Sequence, residues 1–211
     1  NISSAGYLNF SNLLVQSGTW TVSGALLTGA STSTSLSGGV LSVNNGAVFG
    51  TSHINANGAT LMSHTPSTLI LANDINLGGT FLSGIHGLTG SGSNNITLAG
   101  VISCNSTSPL TKNGTGALRL NGSNTYTGNT LLNAGSLVIG SSEALGTGAV
   151  SAANGTRIDS GSASTLSNNF NVAGTVSFGG NSTLALSGTL QGDGTAVVNK
   201  EGAGTLVLSG T

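Results

Sequence analysis

The sequence is almost without charge. Of its 211 residues only nine are formally charged: Lys112, Arg119, Arg157, Lys200, Asp74, Glu143, Asp159, Asp193 and Glu201. That is 4 % of the chain, against about 25 % in an ordinary soluble domain. Four scattered cations and a net charge of −1 cannot build a groove that tracks phosphates, so no nucleic-acid partner is expected. No run of 18 apolar residues occurs, and stretches such as Leu69–Ala72 are strand-sized, so no transmembrane helix is expected. The lone cysteine, Cys104, excludes an internal disulfide framework and reads as a small side chain rather than a reactive thiol. The first residues lack a basic region ahead of an apolar core, so any signal peptide is expected to lie outside this sequence. Glycine is abundant, at 35 residues, but without the three-residue period of collagen. Disordered chains are usually charge-rich and poor in Leu, Val and Ile; here apolar pairs recur to the end.

Those pairs follow a glycine. Gly18-Thr-Trp20-Thr-Val22, Gly39-Val-Leu41-Ser-Val43, Gly116-Ala-Leu118-Arg-Leu120 and Gly135-Ser-Leu137-Val-Ile139 share the pattern, continued by Gly174 and Gly204. Gly58, Gly79 and Gly155 are imperfect anchors. Alternation of period two marks a strand with one buried face. The anchors at 18, 39, 58 and 79 lie 19 to 21 residues apart, as do those at 116, 135, 155 and 174. Two longer gaps each hold an alternation without glycine, Ile96/Leu98 and Leu184/Leu186. A leucine-rich repeat would need a dense Leu-x-x-Leu-x-Leu skeleton, which is missing, and Gly, Ser, Thr and Asn interrupt every candidate helix. The reading is an all-β, right-handed parallel β-helix of about 20 residues per turn. About ten turns at the strand spacing make a rod about 50 Å long.

The best-formed turns run from Leu110 to Gly140. Lys112-Asn-Gly114-Thr-Gly116-Ala-Leu118-Arg-Leu120-Asn-Gly122 is followed by Asn124-Thr125-Tyr126-Thr127-Gly128 and then by Ala134-Gly135-Ser-Leu137. This stretch resembles the passenger-associated transport repeat of bacterial autotransporters, the type V secretion family. The resemblance implies the extracellular passenger stalk of a surface protein, secreted across the outer membrane, whose repeat assists passenger folding and export. Scarcity of cysteine suits it, since passengers cross that membrane unfolded. The translocating barrel that members carry at the C-terminus is not in this sequence. The motif residues are expected to be structural: asparagines bonding neighbouring turns at a corner, and the tyrosine ring packed on the stack with its hydroxyl at the rim.

A longer repeat overlies the short one. Lys112–Gly122 recurs 88 residues on as Lys200-Glu-Gly202-Ala-Gly204-Thr-Leu206-Val-Leu208-Ser-Gly210, and Ile96–Gly100 recurs as Leu184–Gly188 at the same displacement. Leu71-Ala-Asn73-Asp-Ile75-Asn-Leu77 recurs 95 residues on as Leu166-Ser-Asn168-Asn-Phe170-Asn-Val172. The difference of seven predicts an extra loop within Leu82–Asn95. The expected organisation is one β-helix segment over 1–211 of a longer protein: N-terminal turns over 1–68, then two copies of the long repeat over 69–211, the second truncated.

Signatures of catalysis are lacking. There is no Gly-x-Ser-x-Gly and no Gly-x-x-x-x-Gly-Lys-Ser/Thr. His53, His64 and His86 share no metal-ligand spacing with one another or with Cys104. A polysaccharide-cleaving β-helix, the competing reading, needs clustered carboxylates, and Asp74 and Asp159 do not occupy matching places in the repeat. Gly192-Asp193-Gly194 reads as a corner. Neither enzymatic activity, a metal nor a cofactor is expected. With few charges to keep copies apart and no helical or charged cap in Asn1–Tyr7 or Ser209–Thr211, the expected partner is a second copy or a ligand on a host or neighbouring cell.

Overall fold

The computed structural model describes residues 2–3, 12–24, 33–65, 67–78, 81–85, 94–104 and 107–210, with backbone alone for 2–3 and 81–85. Gly79, His86, residues 86–93 of the expected extra loop, and all of Asn1–Tyr7 but the backbone of Ile2 and Ser3 lie outside the described residues. The chain winds as a parallel β-solenoid of about nine turns with about 20 residues per turn, half of it strand. Every strand pairing is parallel.

The strands of the described residues form three walls, which the chain visits in a fixed order from Leu69 onward. The first wall is a ten-stranded sheet running from Ile2–Ser3 through Thr19–Ser23, Leu110–Gly114, Thr130–Leu132, Val150–Ala152 and Phe170–Val172 to Leu190–Gly192. The second is a seven-stranded sheet from Leu69–Leu71 through Ala117–Leu120, Ser136–Ile139, Thr156–Ser160 and Thr175–Gly180 to Val197–Lys200. The third is divided. Five strands between Asn12–Val15 and Ile102–Cys104 form one part, and Ser164–Leu166, Leu184–Leu186 and Leu206–Leu208 form the other. Between the two parts, residues 121–129 and 140–149 cross the third wall without forming strands.

Alternation in the sequence becomes alternation of burial because successive strand side chains point to opposite faces. Ala117–Leu120 and Ser136–Ile139 both run half-buried, buried, half-buried, buried. In-register pairing then stacks like on like: Leu118 on Leu137 on Ile158 on Phe178. Each fully buried Leu, Ile or Phe contributes about 1.5–3 kcal/mol relative to exposure, and each turn draws this from its neighbours alone. Phe170 of the first wall and Phe178 of the second meet edge-on across the interior, ring centroids 6.2 Å apart.

The register locates the long turn and resolves the two gaps between anchors. Ladder partners lie 20 residues apart from Leu110 to Thr130 and from Thr130 to Val150, but 29 apart from Phe81 to Leu110 and 27 from Leu69 to Ile96. Strands after Gly18, Gly39 and Gly58 lie on the first wall; those after Gly116, Gly135, Gly155 and Gly174 lie on the second; Leu206–Leu208 lies on the third. At each gap the glycine pattern moves to the next wall. The long repeat does the same. Four ladder steps carry Lys112 through Leu132, Ala152 and Val172 to Gly192. A displacement of 88 passes Gly192 by eight residues and arrives on the second wall at Lys200. All walls require inward apolar residues in alternation and tight corners, so one sequence serves any of them.

Candidate functional site

Lys112 is inward-facing. It sits in the first-wall stack above Ser83 and below Leu132, wholly buried. Its amine donates to the carbonyls of Asn113 at 2.8 Å, Gly114 at 2.8 Å and Ala134, one turn on, at 3.1 Å. The corner makes this possible. Gly114 turns the chain with φ near 75°, a left-handed conformation that costs glycine little, and its carbonyl is thereby offered to the lysine. Burial lowers the amine from its ordinary 10.5 to about 8, since the charged form loses water. Lys200 repeats the local geometry: Nζ donates to Glu201 O at 2.6 Å and Gly202 O at 3.0 Å, with Gly202 at φ near 70°, but the side chain is exposed.

Asn124, Thr125 and Tyr126 occupy the break in the third wall. Burial still alternates through 121–130, with Gly122, Asn124, Tyr126, Gly128 and Thr130 inward and Thr125 and Thr127 outward. Here the inward residues are polar or glycine. The Asn124 carboxamide spans two neighbouring turns: Oδ1 accepts from Ile102 N at 2.8 Å, and Nδ2 donates to Ala144 O at 2.6 Å. The backbone stitches the same gap, with Asn124 N on Glu143 O and Thr125 N on Ile102 O. These bonds replace the missing ladder, since buried backbone groups must find partners. Tyr126 corrects the expectation of a hydroxyl at the rim. The whole side chain is buried and its hydroxyl meets Thr130 Oγ1 at 2.7 Å; burial pushes the phenol well above its ordinary range. Without a strand on this wall, the ring fills space that an aliphatic stack fills elsewhere.

The remaining motif residues shape this frame. Leu118, Leu120 and Leu137 are core residues, whereas Leu206 is half-buried and Leu208 is 55 % exposed. Gly116 O accepts the Ser136 amide. A Cβ at Gly128 would run into the Ser108 carbonyl, one at Gly204 into that of Ser182, and one at Gly135 into Gly114 O and Gly116 O. Turns stack this closely only because those positions carry no side chain.

Three contributors escaped the sequence reading. Asn73 and Asn168, recognised only as matching positions in the long repeat, are both buried and donate into loops of the preceding turn. Asn73 Nδ2 reaches Gly50 O and Ser52 O, and Asn168 Nδ2 reaches Gly146 O and Gly148 O. The third contributor is the pair of arginines. Arg119 Nη2 donates to Gly161 O at 3.2 Å, and Arg157 reaches Glu201, so each passes over an intervening turn of the second wall. Arg157 Nε is also held by both oxygens of Asp159, at 2.7 and 2.8 Å. Asp159 and Glu201, which no sequence spacing links, are thus brought together on one guanidinium. Asp74 stands apart, 3.9 Å from the exposed His53. His64 Nδ1 lies 3.0 Å from Ser42 Oγ. Among the described residues no three His, Cys, Asp or Glu side chains converge to hold a metal, and no helix is long and apolar enough to cross a membrane.

Lys112 and Asn124 of the motif therefore bond from turn to turn, as a repeat scaffold of stacked β coils requires. A family model, the passenger-associated-transport repeat, matches residues 110–139 and 198–211. This is a repeat of autotransporter passenger domains. No curated protein and no solved structure matches the chain.

Proposed function

We propose that this chain is a structural stalk of an autotransporter-like protein at the bacterial cell surface, supporting passenger folding and export, with adhesion or self-association as its outward role. The observation that carries the reading is that the matched motif is consumed internally: Lys112, Asn124 and Tyr126 all bond to backbone or side chains of their own and adjacent turns. Turns that stack on folded turns release free energy stepwise, which opposes back-sliding of a chain emerging through a pore. Nine charges over 211 residues leave little repulsion between copies, which favours association through the Ser/Thr/Asn faces. The enzymatic alternative is less favoured because Asp159 and Glu201 both serve Arg157, leaving neither disposed as a free acid or base.

Deleting residues 110–139 in the intact surface protein tests the stalk role. Less passenger at the surface, and greater protease sensitivity of what arrives, is the expected result; unchanged export of a resistant passenger overturns it. Sedimentation of the full-length protein tests association, and a single monomeric species across micromolar concentrations excludes it. Turnover of a polysaccharide by the purified chain would defeat the non-enzymatic reading.

A further inference from the structure

A shallow trough of about 430 Å³ runs along the corner of the first wall, parallel to the solenoid axis. One side is a column of outward residues, Ser151, Asn171 and Gln191, joined in register by the ladder. Its floor is Ala153 and Ala173, small residues one turn apart, and Asp193 stands at one end. The column differs from the other polar residues described. Asn73, Asn124 and Asn168 are buried and bonded, whereas among the described residues Ser151, Asn171 and Gln191 make no side-chain hydrogen bond, and Asn171 and Gln191 are exposed.

We propose that this trough binds a neutral oligosaccharide lying along the axis. Two carboxamides and a hydroxyl, each able to donate and to accept, are repeated at the ladder spacing of about 4.8 Å. A sugar chain offers hydroxyls of the same dual character at regular intervals, and its ring C–H faces suit an alanine floor. The charge pattern selects against ionic ligands. No cation lines the trough, and its single carboxylate, Asp193, already accepts from Thr195 N and Oγ1, both at 2.9 Å. An anionic glycan would meet Asp193 without a compensating cation. The strands that carry Ser151 and Asn171 are paired on both sides. Leu190–Gly192 is the last strand of its sheet, but a peptide added at that edge would run across the axis rather than along the trough. Burying a polar group without a partner is costly, so these outward amides suit a ligand that itself presents hydrogen-bonding groups. The inference goes beyond the stalk reading, which survives if no glycan binds.

The test uses the full ¹⁵N-labelled chain and follows the side-chain amide signals of Asn171 and Gln191. Cellohexaose, maltohexaose and chitohexaose are the neutral probes; a heparin hexasaccharide and a neutral Gly-Ser decapeptide are the controls. At least one neutral hexasaccharide should shift both amides saturably. The double variant Asn171→Ala/Gln191→Ala should weaken its binding at least tenfold. Both side chains are exposed, so the variant should melt as the parent does, which separates a binding defect from misfolding. Absence of saturable shifts with every neutral probe overturns the proposal. So does a double variant that binds within twofold of the parent, or tighter binding of heparin or peptide at these amides.

Discussion

Replacing Asn124 by alanine removes one carboxamide and strands two backbone groups in different turns. In the native chain Oδ1 satisfies Ile102 N–H at 2.8 Å and Nδ2 satisfies Ala144 C=O at 2.6 Å, with the side chain 5 % exposed. A buried group left without its partner costs about 1–3 kcal/mol. Two such groups give roughly 2–6 kcal/mol, and some water entry through the strandless wall should bring the observed cost to about 3–4 kcal/mol. Asn124→Asp sharpens the argument. Its carboxylate keeps the bond from Ile102 but sets an anionic oxygen against the Ala144 carbonyl, so its cost near neutrality should be similar. Once protonated, the carboxyl donates to Ala144 and most of that cost disappears. The carboxyl's folded pKa is then raised above about 3.9, the native state binds more protons between the two values, and stability falls as pH rises through that window. Urea unfolding at pH 4 and pH 7, with hydrogen exchange at the Ile102 amide, measures both effects. A cost below about 0.5 kcal/mol for Asn124→Ala, with Ile102 exchange unchanged, would refute the bridging role, since that is within the range of an ordinary surface substitution.

Lys112 should give the chain a stability that rises with pH. Its folded pKa of about 8 lies below the unfolded 10.5, so between these values the unfolded state holds more protons and deprotonation favours folding. The gain should be on the order of 1–2 kcal/mol after allowance for solvent screening at the corner. Urea titrations from pH 7.5 to 9.5 should show this slope in the parent and its loss in Lys112→Met; equal slopes would refute the assignment. Tyr126→Phe deletes the bond to Thr130 and should lower stability by about 1–2 kcal/mol, against no change if the hydroxyl were hydrated at the rim. Arg157→Gln, at a partly exposed site, should cost no more than about 1 kcal/mol, yet speed amide exchange in Val197–Lys200 selectively; uniform exchange throughout the second wall would contradict a local clamp.

The period of the solenoid was legible because packing imposes it. A glycine corner and an alternating pair recur on one wall of successive turns, and their spacing gives about 20 residues per turn. Wall identity was not legible, for the same reason: Leu118/Leu120 and Leu206/Leu208 are interchangeable in pattern yet belong to different walls. Burial of Lys112 ran against the ordinary placement of lysine at the surface, and follows from carbonyls that the Gly114 corner turns toward its amine. The hydroxyl of Tyr126 was expected outside because tyrosine commonly keeps a wet tip; Thr130, four residues on, supplies an interior partner. The meeting of Arg157 with Glu201 spans 44 residues, and nothing local in the chain announces it.

The advance of the long sequence segments from one wall to the next bears on how such a rod faces its surroundings. Had the segments returned after a whole number of coils, each outward residue would reappear on the same side, and the rod would carry its features in a single stripe. Moving on by one wall of three instead turns the related segment by about a third of a circle. Surface features inherited by successive segments would then wind around the shaft like steps on a spiral stair. Two such segments carry related groups to two of the three sides, and each further segment would carry them one side on.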